Sequence, residues 1–343
     1  MKNIPLISVC IPLYDTEPLL AQCLRSALLQ DFDSFEVIVL SDASRGKDKK
    51  GCSAKKIIHL VEKECHKKVR FYEHRENMGL VEVRRSLSYY AQGKYVTFVD
   101  SDDVMEEGSL KALYAAAESN NADIVQGRST SGFWNSEMHF IPTKENLYSK
   151  ITIGKLCDYQ IIKNWLCGKD ISGVLWAKLI KKSVLEKAFE SIPHIECNFA
   201  EDFLIFFFTS FYSKLYVGIE DKVYRYRVQS GMSSARKIDS LKKIRMICST
   251  ASVFTVISES EELKQLEENE INFVRRFASA YLADNIRQLS ETVIPELQLQ
   301  AREMLCEYWG ASFVERVERS VKNLSSDRGC HTHNASRGVA LWK

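Results

Sequence analysis

The chain has 343 residues, 45% of them hydrophobic and 27% charged, with 47 basic against 45 acidic residues and a formal net charge of +2. This is the composition of an ordinary soluble globular protein, and the balanced charge gives no global field for nucleic acid. The length exceeds what one compact core usually holds, so one large domain with a smaller appendage is expected.

The opening "MKNIPLISVCIPLYD" holds two prolines in a short apolar stretch and is followed by no small-residue cleavage site, so it does not read as a signal peptide. The most apolar run, Phe203 to Val217, contains Lys214 and is too short for a bilayer; a buried helix leading into a strand is expected there. Ten cysteines lie scattered with no CxxC pair, which points to reduced thiols in a cytosolic protein. Cys52, His59, Cys65 and His66 match no common zinc spacing.

In chain order, "LISVCIPLYD" is a β-branched run ended by turn formers, hence a buried strand, and "EPLLAQCLRSALLQ" has Leu20, Leu24 and Leu28 at helical spacing with Pro18 tolerated near its start. "FEVIVLSDAS" gives a second strand. A lysine-rich loop then leads to a helix from about Ala54 to Cys65, "VRFYEH" is a third strand, "NMGLVEVRRSLSYYAQG" a helix and "KYVTFVD" a fourth strand. Strands that read as continuous apolar runs and alternate with helices imply a parallel sheet covered on both faces. After the strand "NADIVQG", Arg128 to Tyr148 is polar and irregular, and helical pattern resumes from Ile151 to Leu166. "SGVLWAKLIKKSVLEKAF" gives an extended piece and a helix, "AEDFLIFFFTSFY" an apolar helix, and "KLYVGIEDKVYRYRVQ" a hairpin. From Ile238 to Asn323 the pattern is helical, broken chiefly at Pro295. The last residues lack periodicity.

Ligands of parallel α/β sheets bind at the carboxyl ends of the strands. Tyr14-Asp15, Ser41-Asp42 and Asp100 to Asp103 all fall at such ends and should share one rim. Like charges crowded there are costly unless a cation or a donor-rich ligand offsets them. Asp100 and Asp102 are hard oxygen ligands suited to Mg²⁺ or Mn²⁺. The alternative is an acidic loop capping the next helix, with Ser109 as its N-cap and Asp102 or Asp103 bonding backbone amides.

"SVCIPLYDTE", "EVIVLSDAS", "NMGLVEVRRSLSYYAQGKYVTFVDSDD" and "AEDFLIFF" occur in this order. Together they resemble the family 2 glycosyltransferases of the GT-A fold, whose pattern runs P-x-Y-N-x-E, D-D-G-S, N-x-G-x-x-x-A-R-N, D-x-D-D and E-D. The likeness reaches to about Ser234. It implies an α/β fold, a GT-A type Rossmann-like doubly wound, mostly parallel sheet. A catalytic domain is expected over 1–236 (nucleotide-sugar half about 1–127, acceptor half about 128–236), a helical C-terminal region over 237–323, and a disordered tail over 324–343. Pro12, Tyr14 and Glu17 would line the base and ribose pocket, and Asp42 would accept a hydrogen bond from the base. Asn77 and Gly79 would shape the nucleotide loop, with Arg84 near it. Asp100 and Ser101 would face the donor, and Asp102, with Asp100, would hold Mn²⁺ or Mg²⁺. Asp202 would be the general base of an inverting transfer, and Glu201 and Trp176 candidates for the acceptor side. Tyr226, Arg227 and Ser233 would touch the donor diphosphate or a mobile lid.

The departures are Asp15 for Asn, Ser41 and Ala43 for Asp and Gly in the turn, and Val83, Arg85 and Leu87 for Ala, Asn and Gly on the helix. The resemblance implies a nucleotide-sugar donor, a UDP-sugar first, and a glycan, lipid-linked or protein acceptor in surface polysaccharide, glycolipid or glycoprotein glycan synthesis. It implies a cytoplasmic location, with peripheral attachment to the inner membrane face as an alternative for the lysines from Lys47 to Lys56. A dinucleotide-dependent oxidoreductase needs a G-x-G-x-x-G turn after the first strand, and "PLYDTEPLL" has no glycine. A non-catalytic nucleotide-sugar binder, and a docking protein acting through its C-terminal helices, stand as the rival functions.

Overall fold

The computed structural model of the chain describes residues 4–144, 148, 150–168, 170–197, 199–228 and 238–326. Strands β1 (Ile7–Leu13), β2 (Phe35–Ser41), β3 (Val69–Glu73) and β4 (Tyr95–Phe98) form a parallel sheet in the order β3-β2-β1-β4. Every residue of β1 is buried because both its faces are covered. Ile7, Val9, Ile11 and Leu13 join one core with Leu20, Cys23, Leu24 and Ala27 of helix α1 (Glu17–Leu28) and Ile57, Ile58 and Val61 of α2 (Ala54–Cys65). Cys10, on the alternate face, reaches Leu87 O of α3 (Leu80–Tyr90).

The parallel order stops at β4. Strand β9 (Lys178–Lys181) runs antiparallel between β4 and β6 (Ile124–Trp134), and the order continues β9-β6-β10-β5. Beyond β4 the sheet is therefore mixed. Since β9 runs backwards, its start, Lys178, lies at the edge where β1, β2 and β4 end.

Four local expectations change. Arg128 to Trp134 continues β6 and turns back as β7 (Phe140–Pro142), because Asn135 Oδ1 accepts from the amides of Glu137 and His139 and closes a turn that composition alone hides. The helical stretch after Ile151 is interrupted by β8 (Gly154–Cys157), leaving the short α5 (Tyr159–Lys163) and a π-helical turn over Asn164–Gly168. "KLYVGIEDKVYRYR" is not a hairpin but one strand, β10 (Leu215–Arg227), parallel to β6 throughout. Its polar centre is a register shift between Gly218 and Tyr224, past which it pairs with β5 (Val104–Met105) instead of β8. Ser109 is not an N-cap: Gly108 precedes helix α4 (Ser109–Asn120), and the Ser109 hydroxyl bonds the carbonyls of Glu106 and Val223. After β9 come α6 (Lys182–Glu190) and the apolar α7 (Glu201–Tyr212).

The described residues fall into two compact units, 4–228 without 197–201, and 197–201 with 238–326. The second is helical: α8 (Leu241–Cys248), α9 (Thr250–Glu259), α10 (Glu261–Lys264), α11 (Glu268–Thr292), α12 (Gln298–Trp309) and α13 (Ala311–Ser326). Phe254, Phe277, Tyr281 and Trp309 form its aromatic centre. A 3₁₀ turn at Pro295–Leu297 marks the expected break. The described cysteines are free thiols, and no described helix is long and apolar enough to cross a membrane.

Candidate active site

At the end of β1, Pro12 is buried and Tyr14 half-buried. The Asp15 amide donates to Ser44 Oγ (2.8 Å), and the Ser44 hydroxyl donates to Glu17 Oε1 (2.6 Å). Glu17 itself is 1% exposed, and its Oε2 makes no hydrogen bond among the described residues. Next to it, Asp42 is also buried. Its Oδ1 accepts from Met78 N (2.9 Å) and faces His74 Nδ1 (2.7 Å), while Oδ2 accepts from Gly79 N (3.0 Å). His74 Nε2 reaches Ser86 Oγ at 3.1 Å. Asp42 thus braces the Asn77–Gly79 loop, and a base contact would compete with three protein partners. Gly79 enters α3 with φ 87°, a left-handed conformation in which a side chain would be strained.

The acids after β4 divide their work. Asp103 is buried: its Oδ2 accepts from Tyr224 Oη (2.9 Å), and its Oδ1 from the amide of Arg227 (2.6 Å). Burial, then the charges of Asp102 and Asp100, push its carboxyl well above the usual range. The Asp100 amide donates to the same Tyr224 oxygen (3.0 Å), so one phenol fixes both ends of the turn. Arg227 closes the bracket from the far strand. Its Nε donates to Asp102 O (2.8 Å), its Nη2 to Gln22 Oε1 (2.6 Å), and its guanidinium lies 3.9 Å from the centre of the Trp134 ring. The capping alternative therefore describes Asp103, which bonds an amide of β10 rather than of its own helix. Ser101 is buried against Thr16 (Oγ to Oγ1, 2.6 Å), and Asp100 and Asp102 keep partial exposure at the rim.

Arg84 joins this turn to α7. Its side chain is 1% exposed and lies over the Phe98 ring, with Nη2 at 3.1 Å from Asp100 Oδ1 and 3.3 Å from Asp202 Oδ1. Burial pushes the Asp202 carboxyl up to about 6; Arg84 pulls it down, Asp100 pushes it up, and Lys178 and a hydrogen bond from the Leu175 amide pull it down. At a quarter exposed, Asp202 is a partly desolvated carboxylate in the first turn of α7.

Both acceptor candidates are buried. Trp176 is 2% exposed and stacks on Tyr224 (4.6 Å) and Tyr226 (5.4 Å), with Tyr148 edge-on, so no face remains for a sugar ring: it is core. Glu201 is buried in the first turn of α7. Ser233 lies outside the described residues. Tyr224, His74 and Ser44 hold the candidate site together but escape sequence reading, because each works through a partner distant along the chain.

No group of three or more His, Cys, Asp and Glu among the described residues could hold a metal by itself. A magnesium-like ion is commonly held by one or two carboxylates while phosphates and water complete its octahedron. Asp102 and Asp100 would supply that share, and the like charge crowding Asp103 is the field a cation would offset. The residues present fit such an ion.

Residues 8–189 match the family description "Glycosyl transferase family 2", more than half of the chain. The chain belongs to glycosyl transferase family 2. It is a glycosyltransferase. Among its relatives is glycosyltransferase GlyG of Streptococcus pneumoniae serotype 4, 27% identical over 241 residues, 68% of this chain and 74% of GlyG. Residues 1–349 of TarS from Staphylococcus aureus, solved with UDP-GlcNAc, share its fold at a TM-score of 0.51 and 21% identity, over 92% of each chain. The mannosyltransferase PcManGT from Pyrobaculum calidifontis, solved with GDP-Man and Mn²⁺, does so at 0.52 and 16%, over 94% of this chain and 88% of its own. These likenesses show the GT-A fold.

Set against the family pattern, three departures acquire causes. Asp15 and Ala43 replace Asn and Gly at φ 54° and 56°, the left-handed region those two residues tolerate best. Ala43→Gly is expected to raise stability by about 0.5–1 kcal/mol, relief of left-handed strain outweighing the added freedom of the unfolded chain; urea denaturation measures it, and a lower midpoint would count against the strain. Arg85, in place of Asn, donates to the carbonyls of Phe189 (2.6 Å), Ile192 (2.9 Å) and Pro193 (3.1 Å), tying α3 to the end of α6.

Proposed function

We propose that the chain is an inverting, divalent-metal-dependent glycosyltransferase that moves a sugar from a nucleotide-sugar, a UDP-sugar first, to an acceptor hydroxyl of a glycan, a lipid-linked saccharide or a protein. The observation that carries this is Arg84, buried between Asp100 of the donor-side turn and Asp202 of α7. One cation fixes the distance between a carboxylate suited to the donor and a carboxylate suited to the acceptor. UDP-GlcNAc on TarS and GDP-Man with Mn²⁺ on PcManGT support a nucleotide-sugar and a metal. Asp102 and Asp100 would hold that ion, which supplies positive charge to the leaving diphosphate. Tyr14 would contact the nucleoside, while Glu17 acts from behind it by holding Ser44, and Asp42 by bracing the Asn77–Gly79 loop. Asp202 takes the proton of the attacking hydroxyl; the attack comes from the face opposite the leaving nucleotide and inverts the anomeric centre. Lys47, Lys49, Lys50, Lys55 and Lys56 are exposed and could meet an anionic membrane face if the acceptor is lipid-linked.

The test is donor turnover with Mn²⁺ or Mg²⁺ across a panel of nucleotide-sugars. Asp102→Ala is expected to lose metal-stimulated donor binding and at least about 10²-fold in turnover, read by calorimetry and product assay. Turnover equal to wild type, or full activity in chelator, would overturn the metal assignment.

A further inference from the structure

We propose that His74 is a positioning residue for donor binding, which holds the Asn77–Gly79 loop in its binding shape before a nucleotide arrives, through hydrogen bonds running from Ser86 to His74 to Asp42 to the loop. The inference rests on that loop facing the nucleotide, as the function proposed above requires. His74 follows β3, which stands at the end of the sheet and pairs with β2 alone among the described strands. Its amide donates to Ser41 O at 2.9 Å and extends that ladder by one bond. Beyond it Arg75, Glu76 and Met78 are exposed, and the chain must still enter α3 through Gly79 at φ 87°. An edge strand offers this turn no neighbour on its far side, so the loop is held from the end of β2, by Asp42.

Asp42 can fix two amides only while its own side chain is fixed, and His74 supplies that. A carboxylate oxygen accepts and does not donate, so the proton of the 2.7 Å contact with Oδ1 belongs to His74 Nδ1. Nε2 then meets the Ser86 hydroxyl of α3 at 3.1 Å. The side chains of His74 and Asp42 are only 14% and 4% exposed, so water replaces these bonds poorly. The ends of β2 and β3 and the side of α3 thus meet in one line of bonds, which terminates on the amides of Met78 (2.9 Å) and Gly79 (3.0 Å). Each bond in such a line polarises the next. A loop ordered in advance binds without losing affinity to its own ordering; one that is competent for a fraction of the time binds more weakly by that fraction. Loss of His74 should therefore appear in donor affinity and not in the chemical step.

His74→Ala removes both ring nitrogens. His74→Asn keeps an amide nitrogen where Nδ1 stands and gives up Nε2, and Ser86→Ala removes only the far hydroxyl. The readouts are calorimetry with UDP and with GDP, each with Mn²⁺, and hydrogen exchange of the peptide spanning Asn77–Gly79 in nucleotide-free protein. His74→Ala is expected to speed exchange at Met78 and Gly79, and to weaken binding of the nucleotide preferred by wild type about tenfold. His74→Asn should recover most of that loss, and Ser86→Ala should weaken binding about threefold. In turnover, donor KM should rise by the same factor while kcat at saturating donor changes less than about twofold. Unchanged exchange and affinity in His74→Ala, or in Ser86→Ala where the first variant does not fold, would overturn the inference, as would a fall in kcat at constant KM. Faster exchange in a chain that binds neither nucleotide would leave the line of bonds standing and remove its role in donor binding.

Discussion

Asp202→Asn is expected to bind donor with unchanged affinity and to lose about 10²–10⁴-fold in transfer rate. Asparagine keeps the shape of the side chain, so donor-side geometry should survive. It cannot take a proton. The pH profile gives the sharper readout. Burial holds the Asp202 carboxyl up near 6, so it is protonated and idle below that pH and ionised above it. Wild-type kcat/KM should rise with pH, reach half its maximum near 6, and level off above; Asp202→Asn should lack that rise. A wild-type profile flat from pH 5 to 8, or a variant retaining tenfold or more of the expected residual rate, would remove Asp202 from its role.

Much of this site was legible because its residues stand in short runs at strand ends. A parallel sheet gathers the carboxyl ends of β1, β2 and β4, so Tyr14, Asp42 and Asp100 had to meet on one rim wherever their strands ended. Asp202 was readable only through the resemblance, since two acids at a helix start are otherwise ordinary. What stayed hidden came from strand direction and from bonds between distant positions. Nothing local says that β9 runs antiparallel, yet that reversal delivers Lys178 to the rim. The shift within β10 makes one strand look like two, and it is past this shift that Tyr224 and Arg227 reach Asp103. Trp176 misled for a related reason: an aromatic beside aliphatic residues reads the same in a core and on a sugar platform, and only its burial decides.

Arg84→Met is expected to be the most damaging single change in the catalytic unit, lowering stability by about 2–3 kcal/mol. Methionine fills the space of the apolar stem over Phe98 but leaves Asp100 and Asp202 without the cation that lies 3.1 and 3.3 Å from them. Removing one partner of a buried pair costs more than the pair is worth, because the remaining charge is stranded. Here two carboxylates are stranded, though each is about a quarter exposed, which moderates the loss. Losing Arg84 also removes the strongest influence that lowers the Asp202 pKa, so the acid limb of activity should move to higher pH. The double variant Arg84→Met with Asp202→Asn separates repulsion from lost packing. If stranded charge is the cause, the second substitution should recover a measurable part of the stability in urea denaturation, giving a non-additive cycle. Strict additivity would mean that Arg84 acts mainly through its contact with Phe98, and the electrostatic bridge between Asp100 and Asp202 would have to be abandoned.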